Sequence, residues 1–363
     1  MRPLLLLTTL ALIAVAVCAI PSETDAEGGF AITDGTGKTF EYDGAAERIV
    51  VNGSAVALTI ADAGAVSKIV AVDKYSTYDY TKYEQLKGLD AVDLGSSYGT
   101  TNHDYIVTTL VQMVNEGKLS LDDSIILSSY TSNIDLRERL NSSGFSKVLV
   151  WTTIEDYGEV VKMVEDVSKI ASGGVPPSVT DMKVNVEAVK KIAAEFPGKE
   201  RPKALYVWYY NKALQIGNTG IMKSMLDVCE ADNIGYDSSN PSARYGDVGT
   251  ITKLIGDNRS ATVFVSNSYF SAGKTLDDFY SEVLGGDKSI EVVQMGLQWN
   301  NWCPESSDGL LEIAKALYGD SPSPEPDPAP SKGGDNTMLY LIAGIVAVIA
   351  IAAVAMLLLR KRK

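Results

Sequence analysis

Histidine is nearly missing from this chain of 363 residues: His103 is the only one. Transition-metal sites usually draw on several imidazoles and carboxylates, and a serine triad needs a histidine approaching from far downstream, so one histidine argues against both. Cysteine is scarce as well. Of three, Cys18 falls in the apolar N-terminal run, which leaves Cys229 and Cys303. Two thiols make no disulfide scaffold; they could pair outside a cell, while Cys229 in MLDVCEA also reads as a helix core position. Positive charge is short too, with 32 Lys and Arg against 46 Asp and Glu, a net charge of −14. That balance argues against nucleic acid or an anionic membrane surface as partner. Asn52, Asn141 and Asn258 each begin an Asn-x-Ser sequon, which matters only where a host glycosylates it.

What is present at the two ends differs from the rest. Residues 3–20, PLLLLTTLALIAVAVCAI, follow Arg2 and close on Val17-Cys18-Ala19, the pattern of a secretory signal peptide over 1–20. Residues 338–359 are uncharged and apolar and precede Arg360-Lys361-Arg362-Lys363. That reads as a transmembrane helix with a basic cytoplasmic tail, 360–363, and places the body outside the cell, held by its C-terminus in the cell membrane. The intervening 320–337 alternates proline with polar residues, an extended spacer.

The body alternates strand and helix patterns. FAITDGTGKTFEYD (30–43) predicts a hairpin turning at Asp34-Gly35, and RIVVNGSAVALTIADAGAVSKIVAVDKY predicts strand 49–52, helix 55–63 and strand 68–72. Helix–strand pairs follow at 102–116 with 123–129 and at 133–143 with 147–151. Then comes TTIEDYGEVVKMVEDVSKIAS, whose apolar residues Tyr157, Val160, Val161, Val164, Val167, Ile170 and Ala171 share one helical face. Thr152 and Glu155 have capping-box spacing, and Gly173, Gly174 and Pro176 stop the helix. At 1.5 Å per residue it spans roughly 27 Å, the length of a strut between lobes. The pattern restarts after a second amphipathic helix with strand 203–210, helices 219–231 and 247–256, strand 261–267, and helices 275–284 and 307–318. The fold class is therefore α/β: two Rossmann-like lobes, 30–154 and 201–319, joined by a linker-helix region, 155–200, plus the C-terminal transmembrane helix.

In this order the segments resemble the cluster A (class III) solute-binding proteins of ABC importers for iron chelates, haem and cobalamin. The resemblance rests on ITDGTGKTFEY, RIVVNGSAVALTIADAGAVSKIVAVDKY, DLGSSYGTTNHDYI, TIEDYGEVVKMVEDVSKIASG, MLDVCEADNIGYD and GLLEIAKALYG, and covers about 30–319. EGKLSLDDSIIL and SGGVPPS depart from the family pattern. The resemblance implies a binding protein rather than an enzyme, with ABC permease and ATPase subunits as partners. It also implies a docking acid on each lobe: Asp104 on the first, with Asp247 offered for the second. Asp104 reads equally as an ordinary helix-start carboxylate favoured by the dipole, and for Asp247 that ordinary reading is the stronger of the two.

Ligands of open α/β sheets bind beyond the carboxyl ends of the strands. Residues falling there are rich in rings and amides: Asn52, Ser54, Tyr75, Tyr78, Ser97, Tyr98 and Tyr130 from the first lobe, and Trp208, Tyr209, Arg244, Tyr245, Tyr269, Trp299 and Trp302 from the second. Tyr80, Trp151, Tyr210 and Asn300 fall in the same regions. Such amphipathic rings suit a bulky chelate, haem or corrinoid, with no cofactor of the protein's own. Trp151 and Trp208 close apolar strands and fit a core equally well, whereas Trp299 and Trp302 lie in a polar loop. Gly95-Ser96-Ser97-Tyr98-Gly99 also fits the nucleophile elbow of a serine hydrolase, but His103, six residues past Ser97, belongs in the next helix turn. A surface adhesion or envelope protein reusing the fold is the remaining alternative.

Overall fold

Short apolar runs close on Asn52, Val72, Ser128 and Trp151, and in the computed structural model each is a strand of one parallel sheet. The structure describes residues 29–77, 82–96, 99–128, 130–152, 154–196, 200–217, 220–238 and 247–319. The signal peptide, spacer, transmembrane segment and basic tail read from the sequence lie outside these residues. Among the described residues no helix is long and apolar enough to cross a membrane.

The described residues open with the antiparallel hairpin β1 (Phe30–Thr33) and β2 (Thr39–Tyr42). Asp34 closes it by accepting from the Thr36 and Lys38 amides at 2.9 and 3.0 Å, and ties it to the first sheet by accepting from the Val150 amide at 3.0 Å. That sheet holds β3 (Ile49–Asn52), β4 (Ile69–Val72), β5 (Val92–Asp93), β6 (Ser124–Ser128) and β7 (Val148–Trp151) in the order β5-β4-β3-β6-β7. Its helices are α1 (Ser54–Asp62), α2 (His103–Asn115) and α3 (Asn133–Ser142). Two helices then cross over, α4 (Tyr157–Ser172) and α5 (Pro177–Glu195). The second sheet holds β8 (Lys203–Tyr210), β9 (Ala213–Ile216), β10 (Asp232–Asn233), β11 (Thr262–Val265) and β12 (Val292–Gln294). Its order is β10-β8-β11-β12, with β9 antiparallel to the outer half of β8. Its helices are α6 (Gly220–Val228), α7 (Val248–Asp257), α8 (Asn267–Ser271), α9 (Leu276–Leu284) and α10 (Ser306–Tyr318).

Side-chain alternation along the strands divides the interior. Val50, Ile125, Leu127, Val148 and Val150 face outward onto α2 and α3, and Leu205, Val207, Val263 and Val265 face outward onto α7, α8 and α9. The opposite faces, Ile49, Val51, Ile126 and Leu149 on one sheet and Ala204, Tyr206 and Phe264 on the other, meet in one continuous core. The α4 helix lies in that core, packed on α1 from the first half and on α5 and α6 from the second. Its residues Tyr157, Val160, Met163, Val164, Val167, Ile170 and Ala171 are wholly buried.

The helix expected at 155–172 is thus present, and it is an interior layer shared by both sheets rather than a free-standing strut. Its N-cap is Asp156, which accepts from the Gly158 amide at 2.6 Å, so the Thr152–Glu155 capping box does not form: the helix starts after Glu155. Its stop is as expected, with Gly173 in the left-handed region at φ 80°. Cys229 and Cys303 are each buried and unpaired, and burial pushes both thiols up.

Candidate functional site

In the first sheet β4 and β6 lie on opposite sides of β3, so the loops after β3 and β6 diverge, which makes this the switch point of the sheet. Asn52 and Gly53 sit at that point. Gly53 holds φ at 118°, and a Cβ there would lie 2.0 Å from Ser128 Oγ, so the two strand ends approach as only glycine allows. Ser128 Oγ donates to the Asn52 carbonyl at 3.2 Å, and Asn133 Nδ2 donates to the Ser128 carbonyl at 2.8 Å. Asp73, wholly buried beyond β4, accepts from the Gly53 and Tyr75 amides at 3.0 and 3.2 Å and from the Ser76 hydroxyl. Burial raises its carboxyl above the usual range, against the pull of those donors. Sequence reading passed over Asp73; its signal is an acid placed directly after an apolar strand.

The second sheet repeats the geometry between β8 and β11. Ser268 Oγ accepts from the Tyr209 amide at 2.9 Å, and the Ser266 amide donates to the Val207 carbonyl at 2.8 Å. The buried Tyr206 phenol is pushed up to about 12 by burial, with Ser266 and Asn300 bonding to it; Asn300 Nδ2 donates at 2.9 Å.

One segment, 299–307, bonds to residues of both halves. Asn301 Nδ2 donates to Ser54 Oγ, the first residue of α1, at 3.1 Å. Glu305 pairs with Lys82 of the first half at 2.8 Å, the Tyr157 and Ser306 hydroxyls lie 2.7 Å apart, and Asn185 Nδ2 donates to Ser307 Oγ at 3.3 Å. Trp299 fills a slot where a Cβ on Gly296 or Gly309 would meet it at 2.5 Å, and with Trp302 it packs half-buried on the shared core. Asn301 and Glu305 were not singled out in the sequence, because nothing local marks a residue whose partner lies more than 200 positions away.

The ring residues divide by strand face. Trp208 continues the inward series of Ala204 and Tyr206, packs on the shared core and stacks on Tyr210, centroids 5.5 Å apart. Tyr209 points the other way, edge-on to Tyr269 at 5.7 Å. Tyr269 is wholly buried among Tyr209, Phe270 and Phe279. Tyr209 and Tyr269 are therefore outer-core residues, a correction that follows from strand alternation. Trp151 is core as well, 4 % exposed. Asn52 is buried, Ser54 half-buried at the bridge, and Tyr75 and Tyr130 half-buried in the loops after β4 and β6; the Lys74 ammonium lies 4.8 Å from the Tyr75 ring centroid. Tyr78, Ser97, Tyr98, Arg244 and Tyr245 lie outside the described residues, and so do Tyr80 and the centre of the Gly95–Gly99 motif.

His103 is wholly buried, with Nδ1 2.9 Å from Asp135 Oδ2. Asp104 follows it at the start of α2, its side chain 91 % exposed and 2.7 Å from Arg139. Asp247 is the N-cap of α7, accepting from the Thr250 amide and hydroxyl at 2.7 and 2.9 Å; those bonds hold its carboxyl below the usual range.

No protein-family model matches the chain, and no curated protein matches it in sequence. Solved structures do match. The iron-uptake ABC transporter substrate-binding protein PiuA of Streptococcus pneumoniae superposes with a TM-score of 0.57 at 13% identity, over 80% of this chain and 100% of its own. The vitamin B12 binding protein BtuF of Vibrio cholerae gives 0.53 at 17% identity, over 75% and 96%. The siderophore binding protein BauB, solved with two acinetobactin molecules and ferric iron, gives 0.55 at 13%, over 80% and 99%. The structural neighbours are thus class III solute-binding proteins, and at these identities what the chain shares with them is the fold.

Proposed function

We propose that this chain is a membrane-anchored, extracytoplasmic solute-binding protein of an ABC importer, which captures a metal chelate or tetrapyrrole and hands it to the permease. The observation that carries the reading is the Asn301–Ser54 hydrogen bond at 3.1 Å, which ties the loop after β12 of the second sheet to the start of α1 beside the switch point of the first. Ligands of such sheets lodge at switch points, and solved binding proteins of this fold support the assignment. Asn52, Ser54, Tyr75, Tyr130, Trp208, Trp299 and Trp302 line the ligand's position in this reading, joined by Tyr78, Ser97, Tyr98, Arg244 and Tyr245. Asp104 is the first-lobe docking acid, exposed and needing only to exchange Arg139 for a basic residue of the permease. Asp247 would have to leave its capping role to do the same. Residues 338–359 anchor the body outside the cell, with 360–363 in the cytoplasm.

The full chain in detergent, titrated with haemin, cyanocobalamin, a ferric catecholate and a ferric hydroxamate, is expected to bind at least one at micromolar concentration or below, read by tryptophan quenching. No quenching and no thermal shift with any of them overturns the reading and leaves the adhesion protein.

A further inference from the structure

Of the three Asn-x-Ser sequons, the fold sets one apart from the other two. Asn52 closes β3 and is wholly buried at the switch point of the first sheet. Asn258 is the C-cap of α7, and both ends of its amide are engaged: Nδ2 donates to the Leu254 carbonyl at 3.0 Å, and Oδ1 accepts from the Lys203 ammonium at 2.9 Å. Asn141 stands in the last turn of α3, half-buried, its side chain bonded to no neighbour among the described residues.

An acceptor asparagine is read together with the hydroxyl two residues on. In an intact helix those two positions lie about 200° apart around the axis, so they cannot be presented to one side. The segment must leave its regular geometry, and its place in the fold sets the cost. Asn52 belongs to a strand paired on both sides, with β4 and with β6, so freeing it opens the sheet. Asn258 would give up both the α7 cap and its tie to β8. Asn141, Ser142 and Ser143 end their helix: Ser143 is the C-cap, and Gly144 follows at φ 100°. The two hydroxyls hold only the helix's own backbone, Ser142 donating to the Glu138 carbonyl at 2.8 Å and Ser143 to that of Arg139 at 3.0 Å. A helix end opens at far lower cost than a central strand.

We propose that Asn141 carries an N-linked oligosaccharide. The donor is a saccharide joined through phosphate to a polyprenyl lipid. A bond forms between Asn141 Nδ2 and the anomeric carbon of the first sugar, and the bond from that carbon to the phosphate oxygen breaks. The lipid phosphate leaves with the electron pair, and the amide gives one proton to a base of the transferase. The glycan requires the body to lie outside the cell; it rests on that part of the binding-protein reading and asks nothing of the ligand. Its position suits the docking surface as well. Asn141 follows Arg139 by two residues, about 200° around α3, so the sugar leaves the helix away from the Arg139–Asp104 pair.

The full chain, isolated in detergent from the cells that naturally make it, is digested with trypsin and its peptides are measured by mass spectrometry. Peptide 140–147 is expected to carry saccharide mass, and peptides 49–68 and 254–259 to be bare. Because 140–147 also holds Ser142, Ser143 and Ser146, variants made in the same cells locate the sugar. Asn141→Gln and Ser143→Ala are expected to lose it, and Ser143→Thr to keep it. A bare 140–147, a sugar that survives Asn141→Gln, or a sugar on 49–68 or 254–259 in its place overturns the proposal. Protease added to intact cells tests the placement separately. A digested body with a bare 140–147 overturns the glycan alone, whereas a protected body with a bare 140–147 overturns the extracytoplasmic reading with it.

Discussion

Position 53 tolerates little. With φ at 118° and Ser128 Oγ 2.0 Å from where a Cβ would sit, Gly53→Ala must both strain the backbone and push β3 from β6. The expected loss is about 1–3 kcal/mol from the backbone alone, read as a lower denaturation midpoint; an unchanged midpoint would show that the strand ends are not so tightly set. Asp73 makes a pH prediction. Its carboxyl is raised above the ordinary value by burial, so the folded state holds that proton more tightly than the unfolded chain does. Its contribution is therefore fully present below the unfolded value of about 4 and is lost as pH rises through the folded value. Denaturation midpoints measured from pH 4 to 7 should show wild type losing ground to Asp73→Asn as pH increases, and the opposite slope would contradict the assignment. The turn at Asn52-Gly53-Ser54 was legible because an apolar strand ending in Asn-Gly-Ser announces one. Tyr209 and Tyr269 were not legible as core, since composition places a ring at a strand's end without saying which face it takes.

Helix α4 was the clearest element in the sequence, yet its environment was read differently from the way it is. An apolar stripe one face wide implies a single buried side; Met163, Asp166 and Ser168 are buried too because α1 covers one flank and α5 and α6 the other. Met163→Ala should then leave a cavity costing about 2–5 kcal/mol, where a helix lying on a surface would lose far less; thermal or urea unfolding decides between them. The helix stop was readable from Gly173, and Gly173→Ala at φ 80° is expected to cost about 1 kcal/mol through its left-handed conformation. The β8–β9 hairpin went unseen. Its turn is Asn-Lys rather than Asn-Gly, so the usual marker of a type I′ turn is missing and β9 merged with the approach to α6.

At the scale of the molecule, both sheets present one face to the same core, and 299–307 ties that core to each half. Unfolding should therefore be one cooperative transition. Trp151 reports the first sheet and Trp208 the second; single-tryptophan variants retaining one or the other should give coincident urea curves, and curves with separate midpoints would mean two independent lobes. The alternation of the longer strands and helices, the hairpin at the start and the turn at Asn52-Gly53-Ser54 were determined by the chain's own pattern of apolar runs, glycines and turn residues, because those signals act between near neighbours. Tertiary structure alone decided which face each ring takes, that α4 is an interior layer, and that Asn301 meets Ser54. These depend on packing between segments far apart in the chain, whose distances no local periodicity encodes.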